Sequence, residues 1–185
     1  MTEASARDQL LGRAIEWFAT HGVGDSSLRT LAEGIGTSHR MINYHFGSRD
    51  GLLGAVVETV ERSEREVLST MLDGFEDPFE VGAAFWTHVA DRATIFAPLF
   101  FELSGQAMQG KPYAASLRSW LGSGWLAELT EGFERAGWGA TEAATVSRLS
   151  LAMARGLLFD LAVTGDRAGV DAAMARWTQL VTEDR

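Results

Sequence analysis

Residues 30–53, TLAEGIGTSHRMINYHFGSRDGLL, place a dense run of polar side chains between two apolar helical segments. Within this stretch, Gly36 follows Ala32 by four positions, and Ile42 follows Gly36 by six. A helix-turn-helix needs a small side chain where two short helices cross, a residue tolerant of positive φ in the turn, and an apolar residue facing the corner. The spacing therefore predicts two short helices that meet in a compact corner.

The polar residues of this stretch fall mainly on the outer side of the second predicted helix. Met41 and Ile42 are expected to face the corner, and Thr37 or Ser38 can cap the helix. Hydrogen-bonding, cationic and aromatic side chains read base edges and bind phosphates when a helix enters the major groove. Arg49, at the start of the next helix, is placed for another phosphate contact. The side chains left on the outer face are those of His39, Arg40, Asn43 and Tyr44.

Length and composition exclude several classes of protein. The chain has 185 residues, enough to bury a substantial core, and no cysteine, which excludes disulfides, thiolate metal sites and cysteine nucleophiles. The N-terminal residues have no apolar segment of the kind found in signal peptides, and no stretch approaches the ~18 consecutive apolar residues of a membrane helix. We therefore expect a soluble, cytoplasmic protein with no cofactor, no metal and no membrane partner.

The charge of the chain is distributed unevenly. The net charge is −9, yet residues 1–50 contain five arginines, six acidic residues and three of the four histidines. This segment is thus close to neutral, and most of the negative charge lies in the remainder. An acidic chain is unusual for a protein that binds nucleic acid, but the local charge of the first fifty residues does not oppose DNA binding.

Helix-period apolar patterns recur along the chain, and no alternating strand pattern of useful length is present, which predicts an all-α fold. The segment LDGFEDPFE, residues 72–80, interrupts the pattern near residue 74. We therefore predict a helix-turn-helix domain over residues 1–50, a linker helix over 48–72 and a helical domain over 74–185. Beyond the linker, helices are expected at about 78–91, 92–109, 113–136, 140–165 and 168–183.

The segment LLGRAIEWFATHGVGDSSLRTLAEGIGTSHRMINYHFGSRDGLL strongly resembles the N-terminal domain of TetR-family transcriptional regulators. The resemblance covers roughly residues 8–60, and its most specific part is YHFGSRDGLL, residues 44–53. It implies that the second helix of the motif is a recognition helix. It also implies that a long fourth helix leads to a helical domain that dimerises and binds a small ligand. Separately, the residues show no nucleophile motif or phosphate-binding loop, so we do not expect an enzyme.

The resemblance extends the set of candidate DNA contacts. It adds Ser27 and Arg29 from the first helix of the motif, and Arg49 stands where the family usually has lysine, which keeps the charge. Asn43 stands where the family commonly has a tyrosine that grips phosphate, and an asparagine could instead read adenine. The full set of predicted DNA-binding residues is Ser27, Arg29, Thr37, Ser38, His39, Arg40, Asn43, Tyr44, His45 and Arg49.

The C-terminal region carries most of the large side chains, which either pack as core or line an apolar ligand pocket between helices. The resemblance favours a pocket, and the aromatic side chains favour an apolar or aromatic effector of unknown identity. Other polar side chains of this region that could orient a ligand are those of Ser104, Gln106 and Arg155. The candidate pocket residues are Trp86, His88, Phe96, Phe100, Phe101, Glu102, Met108, Trp120, Trp125, Met153 and Phe159.

The last two predicted helices carry more apolar residues than one buried face requires. Two such helices from each subunit would form a four-helix bundle, and the resulting homodimer would present two recognition helices to half-sites about 34 Å apart. A double-stranded DNA operator with near-palindromic sequence follows. Repression is favoured over activation, because occupying a promoter needs no further contact. The candidate interface residues are Val146, Leu149, Met153, Gly156, Val163, Val170, Met174, Trp177 and Val181.

Other functions fit the sequence less well. The four histidines show no ligand spacing for a metal. His88, Glu102 and Asp160 could form an acid–base set, but no nucleophile motif or phosphate-binding loop accompanies them. A helical protein-interaction module that uses the helix-turn-helix only structurally is the remaining alternative. Such a module would not show the steep salt dependence of DNA binding.

Overall fold

The computed structural model describes residues 5–24, 27–74, 77–119 and 124–183. These residues form ten α-helices and one 3-10 turn and contain no strand, which confirms the all-α prediction. None of these helices combines the length and the hydropathy needed to cross a bilayer. The helices are α1 (Ala6–His21), α2 (Leu28–Gly34), α3 (His39–Phe46), α4 (Arg49–Gly74), α5 (Pro78–Asp91), α6 (Ala93–Met108), α7 (Ala115–Ser119), α8 (Trp125–Arg135), α9 (Ala140–Thr164) and α10 (Arg167–Glu183), with the 3-10 turn at Pro112–Ala114.

The helix expected over residues 113–136 is described by the structure only in part. The structure has the 3-10 turn, the five-residue α7 and then α8 in this region. Helix α8 begins at Trp125. Residues 120–123, between α7 and α8, lie outside the described residues. At its start the prediction differs from the structure, which has a 3-10 turn at Pro112–Ala114 before α7.

The chain divides into two compact units, and each is discontinuous in sequence. Unit 1 consists of Met1–Arg62 and Pro98–Arg118, and unit 2 consists of Ser63–Ala97 and Ser119–Arg185. Helices α4 and α6 therefore each contribute residues to both units. The division of function between residues 1–50 and 74–185 stays a prediction.

Unit 1 is built around the N-terminal helices. Phe18, Leu31, Ile42, Leu52 and Leu53 lie on α1, α2, α3 and α4, and each exposes at most 1% of its surface. A fully buried aliphatic or aromatic side chain contributes about 1.5–3 kcal/mol relative to an exposed one. Each of the four helices therefore contributes at least one fully or almost fully buried apolar side chain to unit 1.

Serine side chains cap four helices of unit 1, α1 to α4. The hydroxyl oxygens of Ser5, Ser27, Ser38 and Ser48 accept hydrogen bonds from the backbone N–H groups three residues later, at 3.2, 3.1, 3.2 and 3.0 Å. Each bond satisfies a donor that the first turn of a helix leaves without an intrahelical partner. Ser38, rather than Thr37, is thus the cap of α3.

The helices of unit 2 enclose a second apolar core. One cluster joins the turn after α8, α9 and α10 through the buried residues Ala136, Trp138, Ala143 and Val181. Partly buried apolar side chains pack against this cluster, and they come from α5, α8, α9 and α10. They are Phe79, Phe133, Val146 and Trp177.

A polar network ties the start of α10 to α5. The Trp86 indole N–H donates to Asp171 Oδ1 at 2.8 Å, and Arg167 Nε donates to Asp171 Oδ2 at 2.7 Å. Arg167 also donates to Asp91 Oδ1 at 2.6 Å. The hydrogen bond from Trp86, with that from Arg167, lowers the pKa of the Asp171 carboxyl. The ionised form of Asp171 is therefore favoured by the folded state.

We predict that Asp171→Asn lowers the free energy of unfolding at neutral pH. In acid, the difference in this free energy between the variant and the wild type should become smaller. Because the folded-state pKa of Asp171 is lowered, its carboxylate stabilises the fold above the unfolded pKa of about 3.9. That contribution is lost as the pH falls below this value. Urea unfolding of both proteins at about pH 7 and about pH 3 measures the two differences.

Glu134→Gln, which removes an exposed carboxylate from α8, is the matched control. Its free energy of unfolding should follow that of the wild type at both pH values. If the free energies of unfolding of Asp171→Asn and the wild type differ as much in acid as at neutral pH, the proposed role of the ionised carboxylate is wrong.

Candidate nucleic-acid interface

The turn between α2 and α3 has the geometry that the sequence predicts. Gly36 adopts a φ of +67°, a conformation that residues with a Cβ rarely take. The Thr37 N–H donates to the Ala32 carbonyl oxygen at 2.9 Å and closes the turn. Ala32 is 3% exposed and Ile42 is fully buried. The helix-turn-helix prediction is therefore confirmed.

The opposite face of α3 is polar and open to solvent. His39 and Arg40 are exposed, and Tyr44 exposes 79% of its surface. Asn43 and His45 are half-buried, and the Asn43 side-chain amide lies 3.4 Å from His39 Nδ1. Helix α3 contains no acidic residue, so nothing on its own surface would repel a phosphate.

Met41 was expected to face the corner, and this was wrong. Its side chain is 41% exposed, whereas the adjacent Ile42 is fully buried. Successive residues of an α-helix differ by about 100° in direction, so only one of two neighbours can point directly into a narrow corner. Met41 instead lies at the edge of the polar face.

The residues at the start of α2 are exposed, and their side chains already have partners. Ser27 Oγ caps α2 and lies 2.9 Å from Thr30 Oγ1. Arg29 Nε pairs with Glu33 Oε1 at 3.1 Å, and the Arg29 side chain is 86% exposed. Such exposed ion pairs contribute little to stability, so Arg29 can leave Glu33 at little cost.

Arg49 is the predicted contact whose surroundings differ most from the expectation. Its guanidinium donates to the backbone carbonyl oxygens of Val23 and Gly24, in the loop after α1. The N–H of Val23 donates to Glu102 Oε2 at 2.6 Å. Arg49 thus holds a loop of unit 1, and Glu102, predicted as a pocket residue, holds the same loop. Sequence reasoning missed this pairing, because 79 residues separate Val23 from Glu102.

The predicted pocket residues are divided between the two units. The four in unit 1 are Phe100, Phe101, Glu102 and Met108, and those in unit 2 are Trp86, His88, Phe96, Trp125, Met153 and Phe159. Trp120 lies outside the described residues. Within unit 2, the buried ring of Trp125 lies 5.0 Å from that of Phe85. Met108 and Phe159 are exposed, by 84% and 55%. The set thus includes core, surface and hydrogen-bonded residues.

His88 belongs to a charged cluster within unit 2. Its Nε2 lies 3.1 Å from Glu64 Oε2, and an Arg92 nitrogen lies 3.5 Å from Glu64 Oε1. Glu64 is 2% exposed, so its carboxylate needs such partners to be tolerated in the interior. Among the described residues, no three acidic or histidine side chains are grouped as a metal site would require.

The candidate interface residues fall into three groups by exposure. Leu149 and Val163 on α9 are 52% and 67% exposed, and Gly156 is also exposed. Met153, Met174, Val146 and Trp177 are half-buried, and the last two pack on the core cluster of unit 2. Val170 and Val181 are 2% and 5% exposed and are buried within unit 2. Their burial leaves little of either side chain for a partner to contact.

A family model matches the N-terminal part of the chain. Residues 10–56 match the model of bacterial regulatory proteins of the tetR family. This segment has the sequence of a TetR-family DNA-binding domain. The TetR family consists of helix-turn-helix transcriptional regulators and not of enzymes. The matched residues include all of α2 and α3, the corner between them and the first turns of α4.

Solved structures share the fold of the chain over nearly its whole length. A transcriptional regulator from Rhodococcus sp. Rha1 has a TM-score of 0.83 at 20% identity over 97% of both chains. A TetR regulator from Legionella pneumophila has a TM-score of 0.78 at 18% identity, covering 95% of this chain and 98% of that one. These two structures show that the described helices have the TetR fold.

A curated relative aligns with part of the chain. The HTH-type transcriptional regulator BetI of Stenotrophomonas maltophilia (strain R551-3) is 29% identical over 77 residues. The alignment covers 41% of this chain and only 39% of BetI.

We predict that Ile42 and Tyr44, two residues apart on α3, differ sharply in their contribution to stability. Ile42→Ala leaves a cavity in the corner and should lower the free energy of unfolding by about 2–5 kcal/mol. Tyr44→Ala removes a side chain that is mostly in solvent and should change it by no more than about 0.5 kcal/mol. Urea unfolding followed by circular dichroism gives both values. Equal losses in the two variants would show that α3 packs differently.

Proposed function

We propose that this protein is a ligand-responsive repressor of the TetR family that binds a near-palindromic operator as a homodimer. The observation that supports DNA binding most directly is the two-sided character of α3. Ile42 anchors the helix in the corner, while Arg40 and Tyr44 project from the opposite face. A short helix anchored in this way can lie in the major groove with its polar side chains facing the base edges.

We assign separate roles to the candidate DNA contacts. Arg40, Asn43 and Tyr44 are proposed to contact bases and the adjacent backbone, because their side chains leave the exposed face of α3. Thr37, Ser38, His39 and His45 complete this surface. Ser27 and Arg29, at the exposed start of α2, are proposed to contact phosphates. Contacts to phosphate position the protein on the duplex, and contacts to base edges carry sequence information.

Arg49 fits a phosphate-binding role less well than the other candidates. Its guanidinium is occupied by the carbonyl oxygens of Val23 and Gly24. A guanidinium has five N–H donors. A phosphate contact by Arg49 would have to use donors that do not face these two carbonyl oxygens. We therefore assign Arg49 primarily to the loop.

The dimer is proposed to form through α9 and α10. Leu149, Phe159 and Val163 are exposed apolar residues of α9, and Leu180 of α10 is 43% exposed. Exposed apolar residues on neighbouring helices are typical of a surface that a partner covers. Phe159, first considered a pocket residue, is better assigned to this interface. Val146 and Trp177 support the surface from inside the subunit.

An apolar or aromatic effector is proposed to bind in the helical region outside the helix-turn-helix. The support is the concentration of aromatic side chains there and the usual two-part organisation of the family. Binding that favours one conformation of the dimer would change operator affinity by a coupling free energy of typically ~1–3 kcal/mol. A protein-interaction module without specific DNA binding is the alternative function.

We predict that Arg40→Ala and Tyr44→Ala each weaken operator binding by about 1–3 kcal/mol while leaving helicity intact. The operator is first obtained by selecting bound fragments from genomic DNA, and affinity is then measured by fluorescence anisotropy at several salt concentrations. Binding should fall steeply with salt, as counterions return to the phosphates. Repeating the titration with a panel of apolar and aromatic compounds tests the effector.

Arg135→Ala is the control, because it removes an exposed arginine from α8 in unit 2. It should bind like the wild type. Selection that enriches no fragment would favour the protein-interaction module and refute the regulator. Unchanged affinity in both α3 variants would remove this face from the DNA contact.

We predict that Phe159→Glu and Leu149→Glu each convert the dimer into monomers, because a carboxylate would be buried without a partner at the interface. Sedimentation velocity measures the state of association. Ile95→Glu, on α6, is the matched control, since Ile95 is also apolar and 57% exposed. If the α9 variants sediment like the Ile95 variant, the proposed interface is wrong.

A further inference from the structure

We propose that Glu102 is a positioning residue for DNA recognition, because it holds the loop from which α2 begins. The proposal rests on the proposed DNA-binding function. Glu102 lies on α6, within unit 1, and its carboxylate oxygen Oε2 accepts the backbone N–H of Val23 at 2.6 Å. Val23 is 1% exposed, so water cannot readily replace the carboxylate. Its N–H would otherwise be a buried donor without an acceptor, which is costly.

The two glycines on either side of Val23 allow the carboxylate to approach the loop. A Cβ added to Gly22 would lie 3.2 Å from Glu102 Oε2, and one added to Gly24 would lie 3.3 Å from Glu102 Oε1. Gly22 also adopts a φ of +77°, which a larger residue would strain. The segment Gly22–Val23–Gly24 thus forms a close-fitting seat for the Glu102 carboxylate.

A cation holds the other side of the same peptide segment. Arg49, the first residue of α4, donates to the carbonyl oxygens of Val23 and Gly24. Val23 therefore has its N–H bound by an anion and its C=O bound by a cation. Charge-assisted hydrogen bonds of this kind are roughly twice as strong as neutral ones. We call Glu102, Arg49 and the Gly22–Gly24 segment the loop clamp.

The loop clamp lies just before the helix-turn-helix in the chain. Ser27, the cap of α2, follows Gly24 by three residues, and α2 in turn packs against α3. The segment that Glu102 holds therefore lies close before α2 in the chain, and α2 packs against the recognition helix. A loop released by loss of Glu102 would let α2 and α3 shift relative to the first turn of α4. Base contacts depend on such geometry within fractions of an ångström, so affinity for DNA should fall.

The first experiment measures the clamp without DNA. Hydrogen exchange of the Val23 amide is recorded by NMR in the wild type, Glu102→Ala, Glu102→Gln and Glu58→Gln. Glu58 is an exposed carboxylate of α4 in the same unit, so its variant controls for the change in charge. Exchange at Val23 should be about tenfold faster in Glu102→Ala, with a smaller increase in Glu102→Gln, which keeps an uncharged acceptor. Exchange in Glu102→Ala that matches Glu58→Gln would overturn the clamp.

The second experiment measures the consequence for recognition with the operator obtained by selection. Glu102→Ala should bind this DNA about tenfold more weakly than Glu58→Gln, even though removing a negative charge would by itself favour binding. Sedimentation and thermal unfolding establish that Glu102→Ala remains a folded dimer of wild-type association state. Faster Val23 exchange with operator affinity equal to that of the control would overturn the positioning role.

A third variant tests the close fit and does not remove the carboxylate. Gly24→Ala should accelerate Val23 exchange in the wild-type background, because its Cβ displaces the Glu102 carboxylate. In the Glu102→Ala background, the same substitution should add no further acceleration, since coupled residues are not additive. If Gly24→Ala accelerates Val23 exchange equally in both backgrounds, the Glu102 carboxylate does not fit closely against Gly22–Gly24.

The outcomes separate this proposal from the proposed function. A wild-type protein that enriches no DNA would refute both DNA binding and the positioning role. A wild-type protein that binds its operator, together with a Glu102→Ala variant that binds it equally well, would refute only the positioning role. Weakened binding with accelerated Val23 exchange supports both.

Discussion

The turn between α2 and α3 depends on the hydrogen bond from the Thr37 N–H to the Ala32 carbonyl oxygen, with Gly36 at positive φ. This hydrogen bond closes the turn so that α3, a helix of only eight residues, packs against α2. Isolated helices of that length are unstable in water, because nucleation is costly. The complete burial of Ile42 supplies the stabilisation that α3 cannot provide for itself. The remaining faces of α3 are consequently free to carry polar residues.

Several polar side chains of the DNA-binding domain have a structural role as well as a proposed contact role. Ser27 and Ser38 cap the helices from which they are expected to reach DNA. Arg49 ties the start of α4 to the loop after α1. A serine can both cap a helix and contact DNA, because both roles place its side chain at an exposed helix start. Residue type alone therefore cannot separate a contact from a support.

The acidic character of the chain is compatible with a DNA-binding family member, because the charge is segregated. Helix α3 has no acidic residue. The exposed Arg40 lies near the start of α3, and the exposed Arg29 lies on α2, the helix before it. In unit 2, carboxylates are engaged within the fold, as with Glu64 beside His88 and Asp171 beside Trp86. A global net charge is thus a poor guide to the charge that a duplex would meet.

The sequence by itself determined the all-α fold, the helix-turn-helix and the resemblance of its N-terminal segment to the TetR family. These follow from local spacing: the separations of Ala32, Gly36 and Ile42 and a cap at Thr37 or Ser38 all act within a few turns of helix. Only the tertiary structure decided the environment of residues whose partners are remote in sequence. The contact of Glu102 with Val23 and the burial of Val170 and Val181 belong to this second group. Apolar periodicity shows that a helix has a buried face, but it does not show which side chains of other helices cover that face. For that reason, the exposed polar side of α3 could be predicted from local spacing, whereas the burial of the pocket and interface candidates could not.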